Sequence, residues 1–286
     1  MNWTLSAFAD EAAPSCAAQI AALQRAGLKR LDLRAIEGHN ISVLPPDIAR
    51  EVKTQLDAAG ITVQMLGSPL GKIDIADDFA TDLAKLRHIG AVAPLLGCRA
   101  VRIFSYYNKG GASHPEWMAK SLSRLESLRD EAKNLGLVLF HENERHIFGD
   151  LGDDVTQIAA LRDDNFKLIF DFDNYNQSGE DVWATWQKLK ATTDAFHLKD
   201  STSDNKHVPA GQGNGKIPEI LADAVQIGWS GPIAVEPHLS HSGAVAATGP
   251  SGIANEAYSA MPSEESFHIA VETGKKVMAD AGISWE

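Results

Sequence analysis

The stretch AKNLGLVLFHENE, residues 132–144, shows the pattern from which the fold is predicted. A helical segment ends at Gly136, the apolar run 137–141 follows, and Glu142 stands directly after that run. Glycine after the last helical residue is a common helix C-terminal signal, and a short apolar run between turns is typical of a buried parallel strand. The stretch therefore predicts a helix, a tight turn and a strand that ends at a carboxylate.

The same alternation recurs eight times along the chain. Strands are predicted at residues 4–9, 30–34, 62–66, 100–104, 137–141, 167–171, 195–199 and 233–236. Helical periodicity follows near 14–26, 46–59, 78–96, 115–135, 153–161, 180–190, 216–227 and 264–281. Eight strand-helix units in 286 residues are what a closed parallel barrel needs. The predicted fold class is α/β, a single (β/α)8 TIM barrel domain formed by residues 1–286, with a doubly wound open sheet as the alternative.

One segment interrupts the alternation. The stretch at about 237–263, between the last strand and the last helix, is longer than most structureless connections in compact domains. It is either a functional lid or a disordered surface insertion, and the sequence leaves both readings open.

The composition is that of an acidic globular protein. A total of 38 Asp and Glu against 26 Lys and Arg gives a formal net charge of −12, which disfavours nucleic acid as a partner. The 2 cysteines form no CxxC pattern, which favours a reducing compartment. The amino-terminal segment lacks the basic region of a signal peptide, and the uncharged stretch 237–255 is too rich in Gly, Ser, Pro and His to span a membrane. We expect a soluble, cytoplasmic protein.

Four ionisable side chains stand at the ends of four successive predicted strands: Glu142, Asp171, His197 and Glu236. In a barrel of this kind the carboxyl ends of the strands meet at one face, so these groups are expected to share one centre. Three carboxylates and an imidazole suit a divalent cation such as Mn²⁺ or Mg²⁺. Taken singly, each residue has a plainer reading as a solvated loop residue, a helix cap or a hydrogen-bonded histidine. Their coincidence in register favours the metal site.

Further polar residues are candidates for the same face. Lys199 would orient a substrate hydroxyl or assist a leaving group, or it would pair with Asp200. Arg102 and Arg34 would hold a carboxylate, a phosphate or a pair of hydroxyls, or they would form structural salt bridges. His238 lies in the loop after the eighth strand.

Aromatic residues and one glycine-rich segment leave alternatives open. A sugar ring would stack on aromatic side chains, or these would simply pack in the core; the candidates are Trp3, Phe8, Tyr106 and Tyr107. GQGNGK (211–216) lacks the spacing of a nucleotide-binding P-loop, because Pro209 precedes the interval and Ile217 follows the lysine. It is expected to be a flexible turn that opens a helix, or an anion-binding helix N-terminus.

The chain resembles the xylose-isomerase-like TIM-barrel superfamily of sugar phosphate isomerases and epimerases. The similarity covers nearly the whole length and is most specific in HENERHIFGD (141–150), FDFDNYNQSG (170–179), FHLKD (196–200) and the region 211–239. The resemblance implies Glu142, Asp171, His197 and Glu236 as metal ligands and Asn174 as a substrate-contacting residue. The acidic charge and the scarcity of histidine at strand ends depart from the endonuclease IV branch. His197-Leu198-Lys199-Asp200 is closer to the dehydratase and general isomerase branches.

The resulting expectation is a metal-dependent isomerase or epimerase of a small sugar, sugar phosphate or keto-sugar, acting through an enediolate. Glu142 and Glu236 would transfer protons, Lys199 would be a third catalytic group, and Asn174, Arg102 and His238 would bind substrate. One Mn²⁺ or Mg²⁺ is the expected cofactor, with Co²⁺ or Zn²⁺ as alternatives. A dehydratase or lyase acting on a keto-sugar or inosose would use the same site, and a non-catalytic sugar-binding barrel is the third reading. A homo-oligomer is compatible with the sequence.

Overall fold

Eight short strands close into a parallel barrel in the computed structural model, which describes residues 3–246 and 252–286. We number them β1 to β8: Thr4–Ala7, Arg30–Leu33, Thr62–Gly67, Ala100–Ile103, Val138–Glu142, Phe166–Asp171, Ala195–Leu198 and Pro232–Val235. Each strand pairs with its neighbours along the chain, and β8 pairs with β1. The predicted (β/α)8 TIM barrel is confirmed, and the open sheet was the wrong alternative.

The helices form the outer layer around the strands. Within the described residues they are α1 to α11: Cys16–Arg25, Pro46–Ala58, Ala80–Leu96, His114–Asn134, Gly152–Ala159, Phe172–Gln177, Val182–Leu189, Ile217–Gln226, Gly243–Ala246, Glu256–Ser259 and Ser263–Asp280. Short 3-10 turns occupy Ala9–Glu11, Ile41–Val43 and Phe148–Asp150. All eight predicted strands and all eight predicted helices are present, with ends that differ by no more than two residues.

Two small hairpins and three short helices were not predicted. The hairpins pair Ala35–Ile36 with His39–Asn40, and Asp200–Ser201 with His207–Val208. Helix α6 follows β6 directly, while α9 and α10 lie within the long segment predicted at 237–263. Part of that segment, residues 247–251, lies outside the described residues. At its far side, Ile253 donates to the carbonyl of Asn205 at 2.6 Å and accepts from the His207 amide at 3.2 Å, which joins it to the second hairpin.

The barrel interior is layered because side chains two residues apart along a strand point to the same face. Phe140, Ile169 and Ala195 stand two residues before Glu142, Asp171 and His197 and pack in an apolar cluster with Met65. Three of the candidate ligands therefore stand one layer above apolar side chains of the same strands. No helix among the described residues has the length and apolar character needed to cross a bilayer.

An aromatic cluster fixes the helices outside β6 and β7. The Trp186 ring on α7 is fully buried and lies 5.7 Å from Phe170 and 5.4 Å from Phe196, and its indole N–H donates to Asp223 at 2.7 Å. Trp183 lies one turn earlier on the same helix and is 38% exposed. The two tryptophans therefore lie on the same helix and differ in burial.

Trp186→Ala is expected to lower the free energy of unfolding by about 3–5 kcal/mol, because it leaves a cavity and removes the indole hydrogen bond to Asp223. Trp183→Ala is the matched control and is expected to cost less than about 1 kcal/mol. Urea unfolding followed by circular dichroism measures both values. Equal losses for the two variants would contradict the described packing.

Candidate metal centre

The carboxyl ends of β5 to β8 bring the four predicted ligands together. Glu142 and Asp171 are the last residues of β5 and β6, His197 lies in β7 opposite Asp171, and Glu236 follows β8. Each side chain is at most 3% exposed. One ligand atom from each residue lies within 4.8 Å of the others.

The detailed geometry fits a cation. His197 Nδ1 lies 2.7 Å from Glu142 Oε1 and 3.7 Å from Glu236 Oε2. Within the described part of the chain, Glu142 Oε2, Asp171 Oδ2 and His197 Nε2 are buried and accept no hydrogen bond, although Arg102 and Lys199 form ion pairs with the two carboxylate oxygens. Buried polar atoms that lack hydrogen-bond partners are rare in folded proteins. Oxygen and imidazole donors of this kind suit Mg²⁺, Mn²⁺ or Zn²⁺.

Asp171 is positioned by two asparagines. Its backbone N–H donates to Asn143 Oδ1 at 2.9 Å, and its Oδ1 accepts from the Asn174 amide at 2.7 Å. The Asn174 side chain donates to the Asn143 carbonyl at 2.8 Å and is 3% exposed. Asn174, predicted as a substrate contact, therefore supports the Asp171 loop in this structure.

Three buried cations surround the carboxylates. Arg34 donates to Asp10 at 2.8 Å and 3.0 Å, to Glu11 at 3.1 Å and to Glu236 at 2.8 Å. Arg34 was left between a substrate role and a structural one, and in this structure its guanidinium forms ion pairs with three acids. Glu11, Glu236 and His238 form a second group of possible metal ligands. The Arg34 guanidinium contacts the carboxylates of Glu11 and Glu236 and offsets their negative charge.

The other two cations are Arg102 and Lys199. Arg102 Nη1 lies 3.2 Å from Glu142 Oε2 and 3.5 Å from Glu236 Oε1. Lys199 Nζ lies 3.3 Å from Asp171 Oδ2 and 3.8 Å from Glu236 Oε2, so the alternative pairing with Asp200 does not form. The centre of the Phe8 ring lies 5.0 Å from the guanidinium carbon of Arg34 and 5.0 Å from that of Arg102. It also lies 5.3 Å from the centre of the His197 ring, so Phe8 packs against the site.

Charge balance sets the protonation of the cluster. Burial raises the pKa of Glu142, but His197 and Arg102 outweigh it and hold that pKa at about 2. Burial also opposes ionisation of Glu236, yet Lys199, Arg102 and Arg34 hold its pKa well below the usual value. The pKa of Asp171 is raised well above its usual value by burial, which Lys199 offsets in part while Glu142 and Glu236 add to the rise.

His238 was predicted to bind substrate, and the structure places it beside Glu11. Its backbone N–H donates to Glu11 Oε2 at 2.6 Å, and its Nδ1 lies 3.1 Å from Glu11 Oε1. Burial and the nearby Lys199 hold the pKa of His238 well below its usual value, so the ring is neutral.

The glycine-rich segment binds an internal anion. The amides of Gly211, Gly213 and Gly215 each donate to the Asp200 carboxylate at 2.9 Å. A Cβ atom at Gly213 would lie 2.3 Å from Asp200 Oδ1, so the loop requires glycine there. These three amides are therefore engaged by Asp200, an anion of the protein itself.

The remaining aromatic candidates pack elsewhere. Trp3 lies at the amino-terminal end of the barrel, 4.7 Å from Trp229. Tyr106 is buried against Phe79, and Tyr107 is half-buried beside Lys109. These three residues are thus absent from the candidate centre.

Sequence reasoning missed the acids that hold Arg34. Asp10 and Glu11 lie just beyond the carboxyl end of β1, so the search of strand ends that found the four predicted ligands would have found them as well. Asp32 was missed as well: it lies inside β2, accepts from Ser6 at 2.6 Å, and has a pKa raised by burial to about 6. A charged residue within an apolar strand was the available signal.

With the geometry described, the comparisons with known proteins become informative. The family model for the xylose isomerase-like TIM barrel matches residues 20–259, and the chain belongs to this family. Among curated proteins, none matches the chain.

Several solved structures have the same fold. The IolI protein with a bound zinc atom is 15% identical with a TM-score of 0.73 over 96% of this chain and 98% of that one. The probable 3-DHS dehydratase AsbF from Bacillus anthracis is 14% identical, with a TM-score of 0.71 over 96% and 99%. A magnesium complex of a xylose isomerase-like TIM barrel protein from Mycobacterium smegmatis is 16% identical, with a TM-score of 0.69 over 98% and 96%. At these identities the likeness concerns the fold.

Metal binding is expected to release protons, and more of them as the pH falls, because the raised pKa of Asp171 favours protonation of a carboxyl that must be ionised to bind the metal. Titration calorimetry with Mn²⁺ in two buffers of different ionisation enthalpy measures the release. Asp171→Asn is expected to reduce it. An enthalpy that does not depend on the buffer would contradict this protonation.

The buried His141 ring is expected to make the stability of the fold depend on pH. The ring has no hydrogen-bond partner among the described residues and has a pKa lowered by burial to about 3. Between about pH 6.5 and 3 the unfolded chain binds the extra proton, so stability falls as the pH falls. Relative to His141→Gln, the wild type is expected to lose about 2 kcal/mol from pH 7 to pH 5. If the free energy of unfolding in urea changed with pH by the same amount in both proteins, this prediction would be refuted.

Proposed function

We propose that the chain is a divalent-metal-dependent isomerase or epimerase of a small sugar or sugar derivative. The observation that supports this most is the set of Glu142, Asp171, His197 and Glu236, whose ligand atoms converge while three of them lack hydrogen-bond partners in the described structure. The same four residues would hold the metal. Mn²⁺ or Mg²⁺ is the first choice and Zn²⁺ or Co²⁺ the second. The chemistry that such a cation supplies is polarisation of a substrate carbonyl or hydroxyl oxygen.

The carboxylates supply the proton transfers. The low pKa values of Glu142 and Glu236 keep both residues ionised at neutral pH, which is the form required of a base. They stand on β5 and at the end of β8, which are separated by two strands, so they approach a substrate from different sides. Removal of a proton beside a carbonyl gives an enediolate. If the proton returns to the other face of the same carbon, the configuration of that carbon is inverted. If it returns to the adjacent carbon, the sugar is isomerised.

Lys199 is the proposed third catalytic group. Burial opposes its positive charge, but Asp171 and Glu236 raise its pKa and keep it protonated. An ammonium between these carboxylates can donate to a substrate oxygen on which negative charge develops. It can also protonate a departing hydroxyl, which is the step that the dehydratase alternative requires.

Arg102 is the proposed substrate-binding arginine. It is 4% exposed and its Nε has no hydrogen-bond partner in the described structure, whereas Arg34 is fully engaged by acids. Asn174 and His238 would act indirectly, through Asp171 and Glu11.

The test is deuterium exchange into a panel of sugars and sugar phosphates, read by NMR in deuterated water with Mn²⁺ present. We expect one substrate to exchange a carbon-bound proton, and Glu236→Gln to slow this by at least about a hundredfold. Glu219→Gln, on the exposed face of α8, is the matched control and should behave like the wild type.

Full exchange by Glu236→Gln, together with no stoichiometric metal in the protein, would falsify the proposal. A product lighter by one water would instead assign the dehydratase reaction. Mass spectrometry of the same samples separates these outcomes, since isomerisation leaves the mass unchanged.

A further inference from the structure

A cavity of about 620 Å³ adjoins the candidate metal centre on the side of β1 to β4. Arg34, Arg102 and Glu11 line it where it meets the centre, since both arginines contact Glu236. The cavity thus continues from the place where the substrate would react, and it lies away from β5 to β7.

Much of the cavity wall is apolar. It is formed by side chains from the β1 loop, the β2 loop, the β3 loop and the end of β4, namely Ala12, Ala13, Pro14, Ile36, Pro69 and Phe104. None of these side chains can donate or accept a hydrogen bond.

Two of the polar side chains that also reach the cavity make hydrogen bonds within the protein. Asn40 Oδ1 accepts from the Ser42 amide at 3.0 Å and from its hydroxyl at 2.7 Å, and Lys72 pairs with Glu144 at 2.9 Å. Asp10, Glu11, Arg34 and Arg102 form a charged end of the cavity, and Ser242 and Ser263 add hydroxyl groups on the side of the segment after β8.

Such a wall is unsuited to a bare sugar. A free sugar carries a hydroxyl on nearly every carbon, and burying a hydroxyl without a partner is unfavourable. Apolar groups, in contrast, gain free energy in proportion to the surface that they bury. The part of the ligand that lies along Ala13 and Ile36 should therefore lack hydroxyls.

We propose that the cavity binds an apolar substituent on the substrate, so that the substrate is a keto-sugar bearing an alkyl or aryl aglycone, with the carbonyl that proton removal requires on a carbon other than the anomeric one. The sugar would lie at the metal centre, and the aglycone would lie along the apolar wall. The placement of the sugar rests on the proposed function, while the aglycone site rests on the cavity itself.

Binding of paired glycosides tests this proposal. The probes are the methyl and 4-methylumbelliferyl glycosides of glucose, galactose and xylose, titrated calorimetrically into the Mn²⁺-loaded protein. We expect at least one aryl glycoside to bind about tenfold or more tightly than its methyl partner, in line with burial of one aromatic side chain.

Two alanine variants locate the effect. Ala13→Asp places a charge in the apolar wall and is expected to abolish the aryl preference. Ala17→Asp puts the same charge on the exposed face of α1, outside the cavity lining, and is expected to retain it.

The proposal is overturned if no aryl glycoside binds more tightly than its methyl partner, including the case in which neither binds. It is also overturned if Ala13→Asp keeps the preference. An aryl preference in a protein that holds no stoichiometric metal would support the cavity assignment and refute the metal-dependent isomerase. Deuterium exchange into free sugars without any aryl preference would support the isomerase and refute the cavity assignment.

Discussion

The arrangement depends on the balance between buried cations and buried carboxylates at one end of the barrel. Arg34, Arg102 and Lys199 make direct ion pairs with five acids: Asp10, Glu11, Glu142, Asp171 and Glu236. If all five ionise, two negative charges remain, which is the charge that a divalent cation would neutralise. Isolated charges in such a place would be prohibitively costly, so removing any one cation should disturb the whole set.

The fold was predictable from sequence because each unit carries its own local signals. Apolar runs, helical periodicity and glycines such as Gly136 mark the eight barrel strands and the eight longer helices within two residues. The four candidate ligands were predictable for the same reason, since strand ends in a parallel barrel share one face.

The ion-pair partners could not be predicted, because they depend on closure of the barrel. Arg34 and Glu236 are far apart in the chain and meet only because β1 pairs with both β2 and β8. Likewise, GQGNGK was correctly expected to be a turn, but its ligand Asp200 belongs to a hairpin that the sequence did not reveal. Trp3 was one of the residues considered for stacking on a sugar ring. It precedes β1, so it lies at the amino-terminal end of the barrel, away from the candidate metal centre.

The glycine amides around Asp200 constrain how the chain can change in length. Three amides from residues 211–215 must converge on one carboxylate, and that carboxylate follows Lys199 directly in the chain. An insertion or deletion there would break the convergence and shift the backbone that holds Lys199. Length variation among homologues should therefore be scarce in 209–216 and concentrated in loops without such a constraint.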